Sequence, residues 1–126
     1  MILVDTHVIY WYLTGNIELP DTVKEKVIDD DERYISIASF WEMTIKSSIG
    51  KLVLPEAISE MIETCKGHGF EILDIEGRDL ELLHTLDFIH RDPFDRLIIS
   101  QAMSRNLTLL TKDENIRKYP IETYWE

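Results

Sequence analysis

Apolar residues occur along this chain at two different spacings. Four short runs read as strands: Ile2 to Val4, Tyr34-Ile-Ser-Ile37, Phe70-Glu-Ile-Leu73 and Leu107 to Leu110. Between them the apolar positions recur at helical spacing. Thr6 to Leu13 reads as helix or turn, and Pro20 to Ile28 as a helix with Asp21 and Glu25 in its first turns. Ser39 to Ile49 reads as a helix stopped by Gly50, with Trp41, Ile45 and Ile49 expected on its buried face and Phe40 and Met43 flanking them. Helices over Pro55 to Cys65 and Arg78 to Leu86 follow, then a strongly apolar one from Pro93 to Arg105, and Asp113 opens a short last helix. No Pro/Gly/Ser-rich linker, repeat or low-complexity block interrupts the pattern, so residues 1–126 are expected to form one domain. Strands alternating with helices of this length predict an α/β fold with a mainly parallel sheet covered by helices on both faces.

Two of the strand runs stop at an aspartate, Met1-Ile-Leu-Val-Asp5 and Leu107-Thr-Leu-Leu-Thr111-Lys-Asp113. In parallel sheets ligands gather outside the carboxyl ends of the strands. Glu42 and Asp95 sit where helices should begin, so one sheet edge can collect four carboxylates, a donor set suited to a hard divalent cation. Each acid also has a plain explanation as a helix cap. Ser39-Phe-Trp-Glu42 has the form of a capping box, and Asp92-Pro93-Phe-Asp95 has an N-cap, a proline at the first helical position and an acid at the third. Direction separates the two readings for Asp95, which shares a helix face with Ile98, Ile99 and Ala102. An uncompensated carboxylate there would cost several kcal/mol, so donors or a metal must offset it. Asp92 faces Arg96 four residues on, an ordinary exposed pair. Glu42 stands one turn before Lys46: either the two form a surface ion pair, or Glu42 faces the sheet edge while Lys46 steers a phosphate toward it.

Composition narrows the chemistry. The single cysteine, Cys65, has no disulfide partner and reads as core filler, and the histidines at 7, 68, 84 and 90 share no metal-ligand spacing, so zinc is not expected. The uncharged stretch from Thr6 to Ile17 is too short to span a bilayer, which takes about 20 residues; the expectation is a soluble, cytoplasmic protein with no membrane partner. The net charge of −11 has the wrong sign for a nucleic-acid binder, but it is unevenly spread. Residues 1–90 hold 7 basic and 18 acidic side chains, whereas residues 91–118 hold 6 basic and 4 acidic. A phosphate-bearing substrate is therefore acceptable beside Asp95 and Asp113. A phosphoacceptor receiver domain is disfavoured, because the first strand ends in only one acid and the order of the later residues is wrong.

Four segments together resemble the PIN-domain nucleases, and within them the VapC-type toxins of prokaryotic toxin–antitoxin pairs. These are Leu3-Val-Asp5-Thr6-His7, Ser39-Phe-Trp-Glu42-Met-Thr-Ile-Lys46 with Gly50-Lys-Leu52, His90-Arg-Asp-Pro-Phe-Asp95-Arg-Leu-Ile-Ile-Ser-Gln-Ala102, and Leu109-Leu-Thr111-Lys-Asp113. The likeness spans nearly the whole chain and is nearest to the branch marked by a DPFDR-like segment. It implies a PIN-like, five-stranded parallel sheet and a Mg²⁺ or Mn²⁺ site at its carboxyl edge. It also implies endoribonuclease activity on RNA, inhibition by a cognate antitoxin protein, and a homodimer. The family's acids fall on Asp5, Glu42, Asp95 and Asp113, and its hydroxyl position on Thr111.

Phosphodiester hydrolysis needs an activated water and stabilisation of charge on the phosphoryl oxygens, and neither a lone Cys nor a Ser–His–Asp set is available here. Asp5 and Asp95 are expected to hold the principal metal. Asp113 and Glu42 would complete the cluster, orient the water or help bind a second ion. Four neighbouring carboxylates repel one another, so at least one should hold its proton more tightly without metal. Thr6, Ser39 and Thr111 either anchor waters or phosphate oxygens or serve as local turns and caps. Part of Tyr10-Trp-Tyr12 is a candidate dimer or antitoxin groove. The alternative to the enzyme is a non-catalytic PIN-like RNA- or protein-binding module, in which the acids persist as caps.

Overall fold

A computed structural model describes residues 1–126. In chain order the elements are β1 (Ile2–Val4), α1 (Thr6–Thr14), α2 (Asp21–Asp29), β2 (Arg33–Ser36), α3 (Ile37–Ser48), α4 (Ile58–Gly67), β3 (Phe70–Leu73), α5 (Gly77–Thr85), α6 (Pro93–Arg105), β4 (Thr108–Leu110), a 3₁₀ turn (Ile116–Lys118) and β5 (Thr123–Tyr124). The five strands form one parallel sheet in the order β3-β2-β1-β4-β5. No helix is long and apolar enough to cross a membrane.

Side chains alternate across a strand, and both faces of this sheet are covered, so β1, its middle strand, is apolar at every position. Ile2 and Val4 enter a core built with Val8, Ile9, Val23, Phe40, Met43, Met61 and Cys65, while Leu3 enters a second core with Leu97, Ile98, Ile99, Ala102 and Ile116. Leu110 and Leu109 divide in the same way. Cys65 is fully buried, as its composition-level reading requires.

The order of strands sets the location of the site. The chain runs outward from β1 through β2 to β3, then returns to place β4 on the other side of β1. The order therefore reverses between β1 and β4, where the backbone crevice of a parallel sheet lies. The Asp5 N–H donates to the Leu110 carbonyl at 3.0 Å, so the pairing of β1 with β4 continues up to the acid itself.

Several local expectations change in the folded chain. α3 begins at Ile37 with Ser36 as its cap, the Ser36 hydroxyl oxygen accepting from Ala38 N–H at 3.1 Å. Ser39 is thus inside the first turn, and the Ser39–Glu42 capping box does not form. The phase of the helix moves with its start: Ala38, Ser39, Phe40, Glu42 and Met43 point inward, while Trp41 and Ile49 are 56% and 59% exposed and Ile45 is also exposed. The inward face is the one that α3 packs against α6, α1, α4 and the end of β2, not the longer apolar stripe. α4 starts at Ile58 rather than near Pro55, because Ala57 is still extended and serves as its cap. The preceding loop is fixed instead by a hydrogen bond from Tyr10 Oη to Val53 O and one from Thr64 Oγ1 to Glu56 Oε1. β5 is only two residues long and is ordered by its partner, with Leu109 N–H donating to Glu122 O and Thr111 N–H to Tyr124 O.

Candidate metal centre

Asp5 follows β1 directly and caps α1. Its Oδ1 accepts from the Thr6 N–H at 2.7 Å and its Oδ2 from the Thr111 hydroxyl at 2.8 Å. The same Thr111 oxygen accepts from Asp113 N–H at 3.1 Å, so one hydroxyl joins the ends of the two central strands. Thr6 Oγ1 donates to Ser39 Oγ at 2.9 Å, which ties the start of α1 to α3. All of Asp5, Thr6, Ser39 and Thr111 are buried. Burial raises the Asp5 pKa above the ordinary carboxylate value; the Thr111 hydrogen bond opposes this and the charge of Glu42 adds to it.

Glu42 is buried on the inward face of α3, and its Oε2 lies 2.8 Å from Lys46 Nζ. Burial opposes the charge on Lys46, but the hydrogen bond and charge of Glu42, with the fields of Asp92 and Asp95, raise its pKa. The other Glu42 oxygen, Oε1, is buried with no hydrogen-bond partner. The pair is therefore not a surface salt bridge: it faces the cluster.

Asp95 sits on the first turn of α6, whose cap is Asp92, accepting from the N–H groups of Phe94 and Asp95 at 2.8 and 3.1 Å. With capping assigned to Asp92, the side chain of Asp95 is free to face the acids. Burial, followed by the charges of Asp5, Asp92, Glu42 and Asp113, pushes its pKa up to about 8. This is the carboxyl expected to hold its proton when four acids meet. Asp113 goes the other way: burial works against ionisation, but the His90 hydrogen bond and those from Ile116 and Asn115 N–H outweigh it, and its pKa lies below the ordinary value. Asp113 Oδ1 takes both of those N–H bonds, at 2.8 and 3.1 Å, and so opens the 3₁₀ turn as well as facing the cluster.

The residue that sequence reasoning passed over is His90. Its Nε2 lies 2.9 Å from Asp113 Oδ2 and 3.1 Å from Asp95 Oδ2, and potential ligand atoms of these three residues all lie within 4.8 Å of one another. Sequence spacing gave the histidines no shared metal-ligand motif, and a 23-residue separation from Asp113 hid this contact. Arg96 is corrected too. Rather than pairing with Asp92 in solvent, it is buried and spends its guanidinium on the carbonyls of Leu83, Leu86, Asp87 and His90 and on the Tyr119 hydroxyl, with the Phe88 ring stacked at 4.1 Å.

The donor set is almost entirely carboxylate oxygen, in a cluster where burial and mutual repulsion leave one acid protonated and one buried oxygen orphaned. Such a site fits Mg²⁺ or Mn²⁺ better than the thiolate- and imidazole-seeking metals. A cation would remove the repulsion, accept the orphaned oxygen and displace the proton.

A family model described as "PIN domain" matches residues 2–122. Among solved structures, the chain is similar to that of VapBC2 from Rickettsia felis bound to a DNA fragment from their promoter, with a TM-score of 0.73, 17% identity and 98% of each chain covered. It is similar to that of DNA-bound VapBC from Salmonella typhimurium, with a TM-score of 0.70, 20% identity and 98% of each chain covered. A toxin–antitoxin complex from Klebsiella pneumoniae gives a TM-score of 0.67 at 17% identity, over 95% of this chain and 93% of that one. At these identities the likeness is one of fold. No curated protein matches the chain in sequence.

Proposed function

The chain belongs to the PIN domain family, and from that membership and the convergence of Asp5, Glu42, Asp95 and Asp113 we propose that it is a Mg²⁺- or Mn²⁺-dependent endoribonuclease, the toxin of a toxin–antitoxin pair. The observation that carries this reading is the unpaired, buried Glu42 Oε1 beside an Asp95 whose pKa is raised to about 8, at the point where the strand order reverses. Both features describe a cluster shaped for a cation.

Asp5 and Asp95 would hold the principal ion, with Asp113 and Glu42 completing the set or orienting the attacking water. When bound, the ion supplies charge neutralisation for the phosphoryl oxygens and lowers the pKa of water. The chain's own contribution is orientation. Asp5 cannot rotate, because Thr6 N–H and the Thr111 hydroxyl hold one oxygen each. Lys46 stands at the rim of the cluster, 37% exposed along its side chain, and is placed to meet a phosphate oxygen without leaving Glu42. The excess of basic side chains in residues 91–118 offers a local surface for the RNA backbone on an otherwise acidic protein.

Partner surfaces follow from what is left uncovered. Trp11, Tyr12 and Leu19 line a cleft between α1 and α2, and we assign it to the antitoxin; a net charge of −11 favours a basic segment there. The exposed stripe Trp41, Ile45 and Ile49, with Trp41 edge-on to Phe94 at 4.9 Å, is assigned to the second copy of a homodimer. Sedimentation of Trp41→Glu should give a monomer, and an unchanged dimer would remove that assignment.

The direct test is cleavage of single-stranded RNA with Mg²⁺ or Mn²⁺ against chelator, for the wild type, Asp5→Asn and Asp95→Asn. Cleavage should need the metal and both acids. Cleavage that survives both substitutions would exclude this site, and a protein that neither cleaves RNA nor binds Mn²⁺ would be the non-catalytic module.

A further inference from the structure

The segment between α5 and α6, Leu86 to Asp92, has neither helix nor strand, yet it is held from two sides. Arg96 donates to the carbonyls of Asp87 and His90 at 2.9 and 3.4 Å and to those of Leu83 and Leu86 at 3.4 Å. The Tyr119 hydroxyl accepts from the N–H groups of Ile89 and His90 at 3.1 and 2.9 Å and donates to Asp87 O at 2.6 Å. A buried guanidinium with no carboxylate partner is costly unless its N–H groups find acceptors. Here they are spread over the end of α5 and the loop, and the result is that the His90 ring is delivered to one place, with its side chain 12% exposed.

Both ring nitrogens are engaged, and the backbone decides which carries the proton. The Asp92 N–H lies 3.1 Å from Nδ1, and a backbone N–H can only donate, so Nδ1 is the acceptor. With Nδ1 accepting, the ring hydrogen sits on Nε2, the atom placed 2.9 Å from Asp113 Oδ2 and 3.1 Å from Asp95 Oδ2. A nitrogen bearing a proton has no lone pair for a metal. To become a ligand, Nε2 would have to pass its proton to Nδ1, setting one N–H against another at Asp92.

We propose that His90 is a positioning residue of the metal centre, an Nε2–H donor shared by Asp95 and Asp113 whose tautomer is set by the Asp92 backbone, and not a nitrogen ligand. The inference rests on the reading of the acids as a metal site. Its physical content is preorganisation: one N–H draws the Asp95 and Asp113 carboxyl groups to a common point, and Arg96 and Tyr119 hold the loop that supplies it. Partners of this kind, which orient ligands without touching the ion, carry about ten- to a hundredfold in metal affinity.

The test uses the full chain and Mn²⁺ alone as the probe. Long-range ¹H–¹⁵N spectra of the metal-free wild type should show His90 as the Nε2–H tautomer; the Nδ1–H tautomer would overturn the proposal. Calorimetric titration should show His90→Ala binding Mn²⁺ at least about tenfold more weakly than the wild type, with part of the loss recovered in His90→Gln, whose amide keeps an N–H. Equal or tighter binding in both variants would also overturn it. Pulsed electron paramagnetic resonance of the Mn²⁺-loaded wild type should show no directly coordinated nitrogen, and a nitrogen coupling that vanishes in His90→Gln would make His90 a ligand. Asp95→Asn separates the two levels of argument. If it leaves Mn²⁺ binding unchanged, the metal centre itself is refuted; if it abolishes binding while the spectra show Nδ1–H or a nitrogen ligand, only the role of His90 is.

Discussion

Replacing Asp95 by Asn should stabilise the protein in chelator, and by more as the pH rises. An aspartate in the unfolded chain titrates near 3.8, whereas in the fold Asp95 is pushed up to about 8, with burial the first cause and the charges of Asp5, Asp92, Glu42 and Asp113 behind it. Well below 3.8 both states are protonated and the group contributes nothing. Between about 4 and 8 the unfolded chain ionises while the folded one keeps its proton, so wild-type stability falls with pH, at most by about 1.4 kcal/mol per unit. Above 8 the loss is complete and the slope vanishes. At pH 7 the cost approaches about 4 kcal/mol, and since Asp5 carries part of the same repulsion and is raised in the same direction, a gain of a few kcal/mol is expected from Asp95→Asn. The assay is urea denaturation of both proteins with EDTA at pH 5, 6, 7 and 8, reading the difference between them so that other titrating groups cancel. The variant should be the more stable, with a gap that widens from pH 5 to pH 8. Mn²⁺ at a hundred times its dissociation constant should then restore about 2.7 kcal/mol to the wild type and nothing to the variant. A variant less stable than wild type in EDTA, or a gap independent of pH, would refute the argument.

The remaining expectations concern groups that support the site or the fold. Arg105→Met should cost about 3–5 kcal/mol in urea denaturation, because it leaves the fully buried Asp79 without the guanidinium that bonds both its oxygens. In the wild type, burial opposes the Asp79 charge but Arg105, Glu76 N–H and the Ser104 hydroxyl outweigh it and lower its pKa, so this stabilisation is complete above the unfolded value of 3.8 and is lost as pH falls through the folded one. Gly69→Ala should destabilise by about 1–2 kcal/mol, since φ is +86°, where an L side chain is strained, while the Arg33 guanidinium near the new Cβ can swing aside; a neutral result in thermal unfolding would contradict the left-handed backbone. Thr111→Val keeps the side-chain shape but removes the hydroxyl from Asp5 Oδ2 and from Asp113 N–H, for an expected loss of about 1–3 kcal/mol. The same substitution should raise the Asp5 pKa further and weaken Mn²⁺ binding, both measurable by titration.

What could be read in the sequence was whatever is specified locally. α6 runs from Pro93 to Arg105 as the pattern requires, because Asp92 and Pro93 fix its start and Asn106, in the left-handed conformation at φ 54°, fixes its end. Asp5 is legible because an apolar triplet leads straight into it. α3 shows where local reading fails. The apolar spacing puts Trp41, Ile45 and Ile49 on the expected buried face, and the Ser39 start hides the true cap three residues earlier at Ser36. Only the packing of the helix against α6, α1, α4 and β2 decides for Ala38, Ser39, Glu42 and Met43. His90 and Arg96 were obscure for a different reason: His90 meets Asp113, 23 residues on and past β4, while Arg96 turns back to carbonyls of residues 83–90 and on to the Tyr119 hydroxyl. Arg96 in particular looks like the partner of Asp92 at helical spacing, and nothing short of the fold shows that its guanidinium turns to carbonyls instead.

The two buried polar clusters of the protein are built on opposite electrostatic plans, and the contrast bears on which one serves function. Around Asp79 every charge is answered: Arg105 meets Asp79 and Glu76, Ser104 donates to the same carboxylate, and the pKa of Asp79 falls. Around Asp95 four acids face one lysine already committed to Glu42, and the only group lying between Asp95 and Asp113 is the His90 ring. Asp95 is therefore held protonated, Asp5 is raised, and Glu42 keeps an oxygen without a partner. A cluster selected for stability alone would pair these groups or replace them by apolar ones, either of which is favourable in a buried site. Unpaired acids at the strand-order reversal support the proposed cation site, whose stabilising charge would come from outside the chain. The fold can bear that cost without a cation because the apolar strands beneath the cluster and the Asp79–Arg105 pair do not depend on one.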